Sequence, residues 1–285
     1  MLATGRDRTF PGTGRGRGRK HRTMTSIAAD AEAWIRRYEK SPDSAVRLVC
    51  LPYAGGSASY FFPVAKALAP LIEVLAIQYP GRQDRHREPC IDDIGKLADA
   101  IVGALEDLGG QEGPGGLNDK PLALFGHSMG ATLSYEVALR LEERGVKPVR
   151  LFVSGRRAPS RVREESVHVR DDAGVLRELR LLNGTSGEVL ENEELLRMAL
   201  PAIRSDYRAI ESYRCEPGRR ISCPITALTG DADPRATLEE VRDWANHTTG
   251  EMDLTVLSGG HFFLNDHVPH VLEMISERLL PANRS

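Results

Sequence analysis

The chain has 285 residues, 41% of them hydrophobic and 27% charged, with a formal net charge of −2. That balance belongs to a globular protein with one sizeable core and excludes a fibrous or largely disordered chain. No run approaches the roughly 18 to 20 uninterrupted apolar residues that span a bilayer, so a membrane-spanning reading is excluded as well.

Residues 1–23 hold seven Arg or Lys and one acid, a net +6 that leaves −8 for the remainder. Rich in Gly and poor in aromatics, this segment has the composition of a disordered basic tail, with acidic partners or nucleic acid as its conceivable contacts. The apolar stretch that completes a secretory signal does not follow its basic residues, so export is not expected. Met24 opens Met-Thr-Ser-Ile-Ala-Ala-Asp, an ordinary start, so residues 1–23 are read as an inert tail or a misplaced start. The folded domain is expected over 24–285.

From residue 45 onward, short β-branched runs alternate with longer helical patterns, which predicts a mainly parallel sheet covered by helices on both faces. The strands are expected at Val46–Leu51, Glu73–Ile77, Leu122–Phe125, Arg150–Ser154, Ile225–Thr229 and Asp253–Leu257. Helices are expected at Ile91–Leu108, Met129–Arg144, Leu238–Asn246 and Pro269–Leu279, with a flexible connection at Gly109–Gly116. After Ser154 about 70 residues pass before the next strand. This insertion, about 160–218, is helical at Asp172–Leu182 and Glu193–Tyr213, with Leu195, Met198, Ala199 and Ala202 read as its apolar face. It leaves the sheet at the C-terminal strand edge, where open α/β sheets bind their ligands, so a lid is expected. Cys50, Cys90, Cys215 and Cys223 show no metal-ligand spacing and are too few for a disulfide framework, which fits a reducing cytoplasm.

The chemistry lies in Gly126-His127-Ser128-Met129-Gly130, where an apolar strand turns sharply into a helix. A serine hydroxyl is a poor nucleophile unless a base takes its proton and fixed donors receive the charge on the attacked carbonyl. The two glycines are required because side chains there would collide with the neighbouring strand and helix, and this context makes Ser128 the predicted nucleophile. Of eight histidines, His261 follows the last strand in a Gly-Gly loop and is the predicted base, whereas His127 is expected to point away from the nucleophile. Gly230-Asp231-Ala232-Asp233-Pro234 ends the strand before it and offers two carboxylates. Asp233 is preferred for orienting the histidine, with Asp231 as the alternative or as a turn cap. The backbone N–H of Met129, at a helix start, and that of Ala54, in the small Gly-rich loop after the first strand, are the predicted oxyanion donors.

Together these features predict an α/β-hydrolase fold and a serine hydrolase. The blocks Leu51-Pro-Tyr-Ala-Gly-Gly56-Ser57-Ala58, Tyr79-Pro80-Gly81-Arg82, Gly126-His-Ser-Met-Gly130, Arg204-Ser-Asp206-Tyr207, Gly230-Asp-Ala-Asp233-Pro234 and Gly259-Gly-His261-Phe262 resemble the type II thioesterases that accompany polyketide synthases and nonribosomal peptide synthetases. The resemblance covers about residues 45–280. Tyr53 and Ala232 depart from it, since the family commonly has His and Arg or Lys there. It implies a cytoplasmic enzyme without metal or cofactor that clears stalled acyl groups from the phosphopantetheine arm of an acyl or peptidyl carrier protein, with no nucleic-acid or membrane partner. A carboxylesterase or lipase with the same three residues, an acyl transferase and an inactive binding protein are the rival readings.

Overall fold

The computed structural model describes residues 31–108, 117–182 and 193–280. The basic tail, the start at Met24, the Gly109–Gly116 connection, residues 183–192 of the insertion and the last five residues lie outside this range. The elements in chain order are β1 (Ile35–Arg36), β2 (Val46–Leu51), α1 (Phe62–Leu68), β3 (Ile72–Ile77), α2 (Ile94–Glu106), β4 (Leu122–His127), α3 (Met129–Glu143), β5 (Arg150–Ser154), α4 (Asp172–Leu182), α5 (Glu193–Ser212), β6 (Ile225–Gly230), α6 (Leu238–Arg242), β7 (Met252–Leu257) and α7 (Val268–Leu279).

The strands form one sheet in the order β1-β3-β2-β4-β5-β6-β7, parallel throughout except for the short antiparallel β1. Strands β2 to β6 are almost wholly buried, and this is why they read as continuous apolar runs rather than as an alternation. Alternate residues nevertheless go to opposite faces. Val49, Leu51, Leu75, Leu124 and Val153 pack with α2 and α3, whereas Leu48, Cys50, Val74, Phe125 and Phe152 pack with α1 and α7.

The sheet and the flanking helices follow the sequence expectation, with four differences. Strand β1 and helix α1 were not anticipated; two residues carry no periodicity, and α1 is only seven residues long with Pro63 in its first turn. Helix α2 begins at Ile94 rather than Ile91 because Asp93 caps it, accepting from the Lys96 N–H at 2.8 Å. The helix expected over Leu238–Asn246 is α6 followed by a 3-10 turn, Asp243–His247. The last difference concerns α5. Leu196, Leu200, Ile203 and Tyr207 are its buried face and pack with Val167, Val175 and Leu179 of the insertion. Leu195 and Met198, expected to face inward, are 44% and 57% exposed, while Ala199 and Ala202 lie at or within the buried side. Two overlapping apolar stripes exist in this sequence, and the position of α4 selects the one with 4-3-4 spacing.

The insertion therefore has a small core of its own and lies between β5 and β6, at the C-terminal edge of the sheet.

Candidate active site

Four strand ends converge at that edge. Strand β4 ends in a turn at Ser128, whose backbone takes φ 55° and ψ −117°, a conformation an L residue keeps only where its surroundings impose it. They do so here. A Cβ on Gly126 would stand 2.0 Å from the Gly130 carbonyl oxygen, and one on Gly130 would stand 2.1 Å from that of Leu51. The Ser128 N–H donates to the Ser154 carbonyl of β5 at 2.8 Å, which fixes the turn against its neighbour.

Strands β6 and β7 deliver the other two groups through loops that cross closely. A Cβ on Gly230 would lie 2.4 Å from the carbonyl oxygens of Gly259 and Gly260, the Asp231 N–H donates to Leu257 O at 2.8 Å, and the Ala232 N–H donates to Gly259 O at 3.0 Å. His261 is thereby placed with Nε2 2.9 Å from Ser128 Oγ and Nδ1 2.9 and 3.0 Å from the two Asp233 oxygens. Asp233 Oδ1 also accepts the Arg235 N–H at 2.8 Å. Both side chains are buried, so the bonds are not shared with bulk water. Asp231 instead accepts the Gly259 N–H at 2.9 Å and stays outside this relay, holding the histidine loop in place. Among the described residues the His267 ring bonds Ser258, at 2.9 Å to the carbonyl and 3.1 Å to the hydroxyl.

The relay opens on a cavity lined by Tyr53 and Ala54 of the β2 loop, Met129, Phe262, and Leu179, Leu182, Tyr207 and Ile210 of the insertion. Among the described residues, the N–H groups of Ala54 and Met129 meet no acceptor. Met129 is the first residue of α3, where unsatisfied amides and the helix dipole favour negative charge. Tyr53 has its ring edge-on to Phe262 at 4.7 Å and to Tyr60 at 5.2 Å, and burial pushes its phenol pKa up. Its ring forms part of the cavity wall.

Two groups near the relay were not foreseen from the sequence. His127 does not simply point away: its ring lies 5.1 Å from the His261 ring, and its Nδ1 bonds Ser154 Oγ at 3.0 Å. Burial, with the neighbouring His261, holds its pKa well below the ordinary value, so it contributes bulk but no charge. The second is an ion network linking the insertion to the acid loop. Glu165 pairs with Arg157 at 2.6 Å and with Arg235 at 2.7 Å, and Glu178 pairs with Arg235 as well. Burial alone would raise the Glu165 pKa, but the bonds and charge of Arg157, followed by the charge of Arg235, hold it down at about 2. No spacing signal marks these pairs: Arg157 and Glu165 are eight residues apart on irregular chain, and Arg235 stands 57 or more residues from both glutamates. Among the described residues, no group of three or more His, Cys, Asp or Glu is arranged to hold a metal, and no helix is long and apolar enough to cross a membrane.

Residues 46–279 match the family model described as a thioesterase domain. Among curated proteins, the chain is 50% identical over 263 residues to the probable cadicidin biosynthesis thioesterase of Streptomyces griseus, covering 92% of this chain and 70% of that one. It is 50% identical over 259 residues to thioesterase PikA5 of Streptomyces venezuelae, covering 90% and 89%. Among solved structures, the type II thioesterase BorB from the borrelidin biosynthetic cluster superposes with a TM-score of 0.79 at 49% identity, over 87% of this chain and 98% of that one. The RedJ thioesterase of the prodiginine pathway in Streptomyces coelicolor superposes with a TM-score of 0.76 at 38% identity, over 84% and 87%. The fold, the serine turn and these likenesses agree: the chain belongs to the thioesterase family, among its type II members, and is a thioester hydrolase.

Proposed function

We propose that this enzyme removes stalled or aberrant acyl groups from the phosphopantetheine arm of an acyl or peptidyl carrier protein in polyketide or nonribosomal peptide biosynthesis. Ser128 acts as nucleophile, His261 as base, Asp233 as the acid that orients it, and the amides of Ala54 and Met129 as oxyanion donors. The observation that carries this reading is the continuous relay from Ser128 Oγ through His261 to Asp233, opening on a cavity lined by Ala54 and Met129, whose N–H groups meet no acceptor among the described residues.

In the first step Ser128 Oγ bonds to the thioester carbonyl carbon and its proton passes to His261 Nε2. The negative charge that builds on the carbonyl oxygen falls toward the two amides, and Asp233 stabilises the imidazolium. The C–S bond then breaks, and the imidazolium proton goes to the departing thiolate. Water attacks the acyl-serine in the same way, giving its proton to His261; collapse breaks the acyl C–O bond, the imidazolium returns that proton to Ser128 Oγ, and a free carboxylic acid leaves. A thioester needs no protonation of a strongly basic leaving group, so these parts suffice without a metal or cofactor. The insertion, about 160–218, acts as a lid over the cavity within a catalytic domain of about 24–285, and the setting is the cytoplasm; deletion of residues 1–23 is expected to leave turnover unchanged.

The test has two arms. A fluorophosphonate probe is expected to label the folded protein at Ser128 and to label Ser128→Ala not at all. Matched propionyl thioester and propionyl ester substrates are expected to favour the thioester; an ester preferred by orders of magnitude would transfer the enzyme to the carboxylesterases. Absence of labelling in the folded protein would leave a binding role.

A further inference from the structure

The blocks Tyr79-Pro-Gly-Arg82 and Arg204-Ser-Asp206-Tyr207 take no part in the proton relay, yet they meet in space. Arg82 Nη1 and Nη2 donate to Asp206 Oδ2 and Oδ1 at 2.6 and 2.9 Å, across 124 residues of sequence. The two side chains are only 8% and 1% exposed. A buried ion pair gains little stability over well-packed apolar residues, because removing both charges from water costs about as much as their attraction returns. What distinguishes this one is its third partner. Asp206 Oδ2 also accepts the Gly55 N–H at 2.7 Å, and Arg82 Nη1 also donates to Gly56 O at 3.1 Å.

Gly55 is the residue after Ala54. Its φ of +79° favours glycine, and a Cβ there would lie 2.8 Å from Ile203 Cγ1, one turn before Asp206 on the same face of α5. The loop is tied on its other side by the Tyr79 hydroxyl, which donates to Pro52 O at 3.0 Å, and by Gln78 Oε1, which accepts the Ala58 N–H at 2.9 Å. The Arg82 guanidinium in turn stands over the Tyr79 ring at 5.0 Å. Each anchor acts on the main chain of residues 52–58, and none of them bonds the Ala54 N–H.

We propose that Arg82 and Asp206 are positioning residues of the oxyanion hole, fixing the Gly55 peptide so that the Ala54 N–H is aimed before substrate arrives, and fastening α5 of the insertion to that loop. The inference rests on the assignment of Ala54 as a donor in the proposed mechanism. Oxyanion donors are effective because they need no reorganisation as charge develops, and a misplacement of about 1 Å costs on the order of 10²-fold in rate. The stretch of α5 from Ile203 to Tyr207 therefore stays with the β2 loop when the site opens.

The experiment compares the full chain with Asp206→Ala, Asp206→Asn, Arg82→Lys and Ser128→Ala on propionyl-N-acetylcysteamine thioester, a substrate that needs no carrier contact. Folding is checked by circular dichroism, and hydrogen exchange is followed in the peptide 52–58. Asp206→Ala is expected to lower kcat by about 30- to 100-fold with KM changed by less than about threefold. Asp206→Asn keeps an acceptor for Gly55 and is expected to recover part of that loss, and exchange in 52–58 should rise in the same order. If Asp206→Ala does not fold, Asp206→Asn and Arg82→Lys carry the same comparison. A folded Asp206→Ala protein, or Arg82→Lys where Asp206→Ala does not fold, with kcat within about threefold of the unaltered chain, or with the whole loss in KM, overturns the inference while an inactive Ser128→Ala leaves the site standing. An active Ser128→Ala overturns both.

Discussion

Asp233→Asn separates the two carboxylates of the Gly230–Pro234 turn by chemistry alone. In the structure Oδ1 of Asp233 accepts the Arg235 N–H at 2.8 Å, and Oδ2 lies 2.9 Å from His261 Nδ1. An asparagine must keep its carbonyl toward Arg235, so its NH2 falls at the Oδ2 position and donates to Nδ1. That donation forces the imidazole proton onto Nε2, which faces Ser128 Oγ at 2.9 Å and can no longer accept the serine proton. The side-chain volume and the loop are unchanged, so the loss is expected in kcat, at about 10⁴-fold or about 5.4 kcal/mol of barrier. The assay is steady-state hydrolysis of a propionyl thioester at pH 7.5, with an unfolding curve to show that the variant is intact. Asp231→Asn is the comparison: it keeps the acceptor for the Gly259 N–H and is expected to stay within about threefold of the unaltered rate. A folded Asp233→Asn protein that retained a tenth of the activity, or an Asp231→Asn protein that lost as much, would refute the assignment.

The insertion and its ion network give two further tests. Leu200→Ala removes a side chain from the small core between α4 and α5 and is expected to cost about 2 to 3 kcal/mol in urea unfolding. Met198→Ala, on the exposed side, should stay within about 0.5 kcal/mol, and an equal cost for both would restore the face first read from the sequence. Glu165, held at about 2 against an ordinary 4.5, binds fewer protons folded than unfolded between those values. Its contribution is thus complete above about pH 4.5 and is lost as the pH falls through about 2. Glu165→Gln is expected to lower stability by on the order of 2 kcal/mol at pH 7, after allowance for partial solvent screening, and by less than half of that at pH 3. A gap that stays constant from pH 7 to pH 3 would show that charge at Glu165 is not its source.

The sequence by itself determined the six parallel strands of the sheet, because buried parallel strands are nearly unbroken apolar runs and most of their helices carry the 3.6-residue period, whereas the two-residue antiparallel β1 carries neither signal. It also determined Ser128, Asp233 and His261 as candidates, since each stands just past a strand end in a glycine-bearing turn, and glycines are demanded locally by close backbone approach. What needed the tertiary structure were the relations between distant segments. Which of two stripes α5 buries depends on where α4 lies. Whether His127 is remote or packed against His261 depends on how two loops cross, and the preference for Asp233 over Asp231 became a distance only once the β6 and β7 loops were in place. The Arg82–Asp206 pair was visible beforehand only as two family blocks 124 residues apart. Charge pairing and donor orientation have no period along a chain, so no reading of spacing could have joined them, and it is the fold that brings them to the peptide beside Ala54.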